Sequence, residues 1–135
     1  QSEGIADFFL NLPNMPEDFV PYWDMKAPGV DGLQSHVAVD SVPRDASAAA
    51  LIASGLYELC TYITPEKGKR YKSIADKIVG NLGRHYQAEP GTHYGFLLLH
   101  STGHYPGGSE IDVPLNYADY FYLEALARKE ALDNQ

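Results

Sequence analysis

The densest group of side chains capable of chemistry lies between residues 97 and 114, LLLHSTGHYPGGSEIDVP. His100 and His104 stand four apart, Ser101 follows the first histidine, and Glu110 and Asp112 come shortly after. Two histidines four apart can share a metal when both lie on one helix face. Gly103 and Pro106 oppose a helix here, and no glutamate stands between the histidines as in the HExxH pattern. No metal ligand is therefore assigned. Two readings stay level. Either the stretch is a polar lip at the mouth of a pocket, where imidazoles bond a ligand, or it is a connection whose imidazoles bond backbone. Ser101 beside His100 is not read as a nucleophile and its base, because adjacent side chains point apart and the GxSxG elbow is absent.

A second candidate is Pro21-Tyr22-Trp23-Asp24. An aromatic pair followed by a carboxylate suits stacking on a sugar ring with recognition of its hydroxyls. In the plainer alternative the rings plug one end of the fold and Asp24 caps a turn. For Asp24 that alternative is favoured. Paired carboxylates for acid–base work could be drawn by type from Asp40, Asp45, Glu110, Asp112 and Asp119. None sits in a context that visibly raises its pKa, and Asp45 and Asp119 are better explained as helix-start residues. The single cysteine, Cys60, cannot form an internal disulfide and reads as a small buried hydrophobe.

The elements that must position these residues are mostly helical. GIADFFLN, residues 4–11, reads as the end of a helix broken by Asn14-Met-Pro16, which suggests further chain upstream. Residues 17–43 read as a long ordered loop with a short strand or two around 20–23. RDASAAALIASGLYELCTYI, residues 44–63, reads as a helix capped by Asp45 and apolar nearly all round, hence buried on several sides. Thr64-Pro65-Glu66 opens the next helix with a threonine cap, and Tyr71, Ile74, Ala75, Ile78, Val79 and Leu82 give it one apolar face, ending near Gly83. Its basic opening, Lys67-Gly-Lys69-Arg70, reads as a solvated face. Residues 84–115 are rich in glycine and proline, with room for a strand at 95–100. Residues 116–133 form the last helix, with Asn116 as its cap. Alternation of all-apolar and amphipathic helices points to two concentric helix layers.

The bulk numbers set limits. A length of 135 residues, 44% hydrophobic and 21% charged, fits one globular domain or part of one. A net charge of −8 argues against nucleic acid as a partner. No apolar run approaches a membrane span, so no membrane association is expected. The N-terminus lacks the basic flank and apolar stretch of a signal peptide.

Four stretches stand in order: VPYWDMKAP, RDASAAALIASGLYEL, LLLHSTGHYPGGSEIDVP and YADYFYLEAL. Together they resemble the C-terminal part of the unsaturated glucuronyl hydrolases, glycoside hydrolase family 88, from about Ala6 to Lys129. The resemblance implies an all-α fold: residues 1–135 as the C-terminal portion of a single six-hairpin (α/α)6 barrel. It implies hydration of the C4=C5 double bond in unsaturated uronic-acid oligosaccharides, the glycosaminoglycan or gellan products of polysaccharide lyases. No cofactor and no metal are implied. The family's catalytic aspartates have no counterpart in this chain, so no catalytic residue is assigned, and a chain of this length alone is expected to be inactive and prone to aggregate. Its partner would be the remainder of its own barrel domain. The residues carried over as substrate-binding are His104, Ser101 and His100, then Tyr22 and Trp23. A non-catalytic carbohydrate-binding or structural helical module, or an unsaturated rhamnogalacturonyl hydrolase, are the alternatives. The compartment stays open between bacterial cytoplasm and periplasm.

Overall fold

The computed structural model describes residues 1–27 and 42–134. Within them lie four α-helices: α1 (Ser2–Leu10), α2 (Ala46–Leu59), α3 (Pro65–His85) and α4 (Asn116–Asp133). Two short 3-10 turns, His93–Gly95 and Tyr105–Gly107, interrupt the connection between α3 and α4.

Helix α2 begins where Asp45, in an extended conformation, accepts from the Ser47 backbone N–H at 3.0 Å. Such a cap satisfies one of the donors that a helix start leaves free. The small residues follow: Ala46, Ala49, Ala50 and Ala53 are fully buried, so the neighbouring helices pack close to the α2 backbone.

The neighbours are α4 and α3. Arg128 Nη1 of α4 donates to the Ser54 carbonyl of α2 at 2.8 Å, and Arg128 Nη2 reaches Glu58 at 2.7 Å. Ser54 Oγ donates to Glu124. Contacts at 54 with 124 and 58 with 128 advance together, so α2 and α4 run parallel. Helix α3 returns in the opposite sense: Tyr57 OH of α2 donates to Asp76 Oδ1 at 2.7 Å, while Gly68 near the start of α3 lies against the Cys60 carbonyl at the end of α2. Tyr57, Tyr71, Ile78, Leu82 and Leu98 are the large, fully buried side chains of the core. Each contributes about 1.5–3 kcal/mol of transfer free energy. The two layers expected from the sequence are therefore present as an inner pair, α2 and α4, backed by α3.

Helix α1 is tied to α3 mainly by polar contacts. Lys67 Nζ pairs with Glu3 and, at 2.8 Å, with Asp7, and Tyr71 OH donates to Asp7 at 2.7 Å. The reading of Lys67-Gly-Lys69-Arg70 as a solvated face holds for Lys69 and Arg70, which are exposed, and is corrected for Lys67, which is half-buried. Lys67 and Arg70 both turn to Asp7, Arg70 at 3.5 Å, because α1 supplies carboxylates over the start of α3.

Other details differ from expectation. Helix α2 stops at Leu59 and α3 continues to His85. Thr64 precedes Pro65 but its hydroxyl makes no cap bond. Asn116 is the first helical residue of α4, and Leu115 holds the cap position without a side-chain bond. The strands expected near residues 20–23 and 95–100 reduce to isolated antiparallel bridges, Tyr22 with Arg44 and Gln87 with Leu98. Each pairing partner turns away after one residue. Residues 28–41 of the long loop, Asp40 among them, lie outside the described residues. Among the described residues no helix is long and apolar enough to cross a membrane.

Candidate functional site

The 97–114 stretch and the 21–24 segment gather at one end of the inner pair, where α2 and α4 begin. The segment 97–113 is fastened there by backbone and side chain together. The Ala46 N–H at the start of α2 donates to the His100 carbonyl at 3.0 Å. Thr102 Oγ1 donates to the Arg44 carbonyl at 3.0 Å, and the Thr102 N–H reaches Asp45 Oδ1 at 3.4 Å. At the other side Asp119, in the first turn of α4, accepts from the backbone N–H groups of Leu97 and Leu98, each at 2.9 Å. Asp119 stands at the helix start, as its sequence context favours over an acid–base role. Its larger role is to staple the loop to α4, a long-range bond with no local signal.

The loop then folds back on itself. Ser101 and Val113 exchange two backbone bonds of 3.0 and 2.9 Å, and Gly103 N–H donates to the Glu110 carbonyl at 2.8 Å. The resulting hairpin-like lip has the positive φ values of its turn residues: His100 at 63°, Gly108 at 70°, Glu110 at 52° and Asp112 at 53°. Non-glycine residues adopt that region rarely.

His100 and His104 are held differently. His100 Nδ1 lies 2.7 Å from Asp112 Oδ1, and its ring meets the Tyr86 ring edge-on at 6.0 Å between centroids. His104 Nδ1 lies 3.3 Å from Ser109 Oγ, and its ring covers the Gly107 α-carbon so closely that a Cβ there would collide with it. The two imidazoles thus have separate partners, and among the described residues no group of three or more His, Cys, Asp or Glu side chains could hold a metal ion. Ser101 is fully buried and its hydroxyl has no hydrogen-bond partner among the described residues. It lies beneath the lip rather than on it.

Trp23 and Tyr105 stack with ring centroids 4.4 Å apart and planes 23° from parallel. This contact joins the 18–27 segment to the lip. Tyr22 faces the Arg44 guanidinium, 5.1 Å from its ring centroid. Tyr22, Trp23, Asp24 and Asp45 line a pocket of about 310 Å³ with Phe9 and Met15. Asp24 accepts from the Lys26 N–H at 2.7 Å, the turn cap favoured for it.

No local pattern marks Asp18, yet it is the hub of this end. It pairs with Arg44, accepts from Tyr86 OH at 2.9 Å and from the Val20 N–H at 3.1 Å. Burial, then the Asp18 bond, pushes the Tyr86 hydroxyl up to about 12. Cys60 is half-buried, and burial raises its thiol too. Neither is available as a nucleophile or base near neutral pH.

No family model matches the chain. Whole-protein relatives do. An unsaturated glucuronyl hydrolase of Formosa agariphila is 39% identical over 98% of this chain, which covers 30% of that relative. A solved unsaturated glucuronyl hydrolase specific for heparin shares 43% identity with a TM-score of 0.86, over 98% of this chain and 33% of its own. One from Streptococcus agalactiae, solved with dGlcA-GalNAc6S, shares 30% identity with a TM-score of 0.76, over 93% of this chain and 31% of its own. The chain spans about 30% of the length of the curated relatives it matches. The helical layers correspond to a portion of the (α/α)6 barrel of these structures. By sequence and by fold, the chain is homologous to about a third of the length of the unsaturated glucuronyl hydrolases.

Proposed function

We propose that the protein carrying this segment is a glycoside hydrolase that acts on unsaturated glucuronyl oligosaccharides left by polysaccharide lyases, and that residues 1–135 are the C-terminal part of its single barrel domain. The observation that supports it most is the 39% identity running through 98% of the chain, lip included. The reaction would protonate C4 of the C4=C5 bond and add water at C5. The hemiketal so formed opens and the glycosidic bond is lost.

Three carboxylates at this end are committed to structural bonds, which supports a binding rather than a catalytic role for them. Asp45 is committed to the α2 cap, Asp119 to Leu97 and Leu98, and Asp18 to Arg44 and Tyr86. A general acid–base must be free to exchange a proton with substrate. As the family resemblance implies, the acid–base group belongs to the rest of the domain, and this end of the inner helices supplies substrate contacts from His104 and His100. Tyr22 and Trp23 shape the adjoining pocket. Ser101, being buried, acts by supporting the lip.

The test follows the ultraviolet absorbance of the conjugated uronate. The full-length protein is given unsaturated disaccharides from chondroitin, hyaluronan, heparin and gellan lyases. Loss of absorbance on at least one is expected. Unchanged absorbance on all of them would leave a non-catalytic carbohydrate-binding role.

A further inference from the structure

One pair in the lip joins two positive-φ residues through their side chains. His100 and Asp112 both adopt left-handed backbone, φ 63° and 53°, and their side chains meet at 2.7 Å. Histidine and aspartate tolerate that region better than most residues, but it is still disfavoured. Both are anchored against relaxing out of it. The two bonds between Ser101 and Val113 flank the pair. The Asp112 N–H donates to Thr102 Oγ1 at 3.3 Å, and the same hydroxyl donates to the Arg44 carbonyl. The His100 carbonyl holds the Ala46 N–H. Both members of the pair are therefore referenced to the first turn of α2. Strained residues held by their surroundings are typical of ligand-binding positions.

The chemistry of the pair sets the tautomer. An ionised carboxylate only accepts, so the proton of a neutral imidazole lies on Nδ1. Nε2 is then left with a lone pair, and the ring is close to half exposed, at 47%. Among the described residues Nε2 has no hydrogen-bond partner.

We propose that Asp112 is a positioning residue which fixes the Nδ1–H tautomer of His100, so that Nε2 accepts a hydrogen bond from a hydroxyl of the bound oligosaccharide. This rests on the hydrolase reading above. Asp112 itself does not touch substrate; it acts through the ring it orients.

The test uses the full-length protein with His100→Asn, Asp112→Asn and the double variant. Asparagine tolerates left-handed backbone, so the lip is retained. The kcat/KM on a lyase-released unsaturated disaccharide should fall about tenfold in His100→Asn, the effect of one lost hydrogen bond. It should fall severalfold in Asp112→Asn, with the double variant no worse than His100→Asn, as expected for residues acting as one unit. Nitrogen-15 NMR should show Nδ1–H in the parent and a mixed tautomer in Asp112→Asn. An unchanged kcat/KM in His100→Asn, or effects that add in full, overturns this proposal while leaving the hydrolase reading standing. A parent that turns over no unsaturated uronide overturns both.

Discussion

Gly107 and His104 show how one hydrogen atom can decide a side chain's place. The imidazole rests on the bare α-carbon, so Gly107→Ala should push the ring off the lip. The backbone there needs no positive φ, so the fold should survive. The expected result is a fall in kcat/KM of the full-length enzyme with little change in thermal midpoint. A large drop in midpoint would mean that the turn, not the ring, was disturbed. Asp119 makes the opposite prediction. Its two bonds to Leu97 and Leu98 are charge-assisted and partly buried. Asp119→Ala should therefore cost about 2–4 kcal/mol of stability, since it also strands two backbone donors. Urea unfolding reads that directly.

Helix-to-helix contacts depend on charge in a way that acid should expose. Where α3 meets the end of α4, Lys72 pairs with Asp133 at 2.7 Å and with Asp76 at 3.1 Å, and Lys129 with Asp76 at 3.3 Å. Burial works to raise the Asp76 carboxyl, but bonds from Tyr57, Lys72 and Lys129 outweigh it and hold it below its ordinary 3.8. Lys129 and then Lys72 hold Asp133 low as well. A carboxyl depressed in the folded state binds fewer protons there than when unfolded. Its contribution is complete above 3.8 and is lost as pH falls through the depressed value. Replacing both Lys72 and Lys129 by Met should flatten the decline of stability below that pH. An unaltered acid limb would show that the ladder is screened away. The α2 start offers a second check at this scale. Asp45→Ala should cost about 1–2 kcal/mol through the lost cap, and loosen the lip through Thr102.

Two apolar faces are open at the scale of the whole molecule. Ile5 and Phe8 of α1, Leu51 of α2 and Tyr62 after it surround an open groove of about 680 Å³ or lie beside it. Tyr120, Leu123 and Leu126 are exposed along α4. Leucines at these positions suit contact with further helices, and the relatives are about three times longer. The isolated 135-residue polypeptide should self-associate, because exposed apolar faces of this kind drive association. Leu51→Glu should reduce that association in sedimentation, yet destabilise the full-length domain. A monodisperse, sharply melting isolated segment would count against coverage of these faces by the rest of the barrel.

Periodicity and end signals made the helices legible. Alanines packed through α2, Asp45 before it, Pro65 at the next start and the apolar stripe of α3 each carry a local physical cause, so an inner helix followed by an outer one and a last helix could be read from one dimension, while the place of α4 in the inner layer could not. The lip was legible as a place, because glycine, proline, histidine and acid do not gather in a plain core. Its internal wiring was not. The bonds from Asp119 to Leu97 and Leu98, the stack of Trp23 on Tyr105 and the convergence of Arg44 and Tyr86 on Asp18 join residues 21–82 positions apart. Only tertiary structure decides such contacts, because loop ends meet through the packing of the helices they connect. The same packing buried Ser101 and brought Asp112 to His100, a choice that residue types alone leave open.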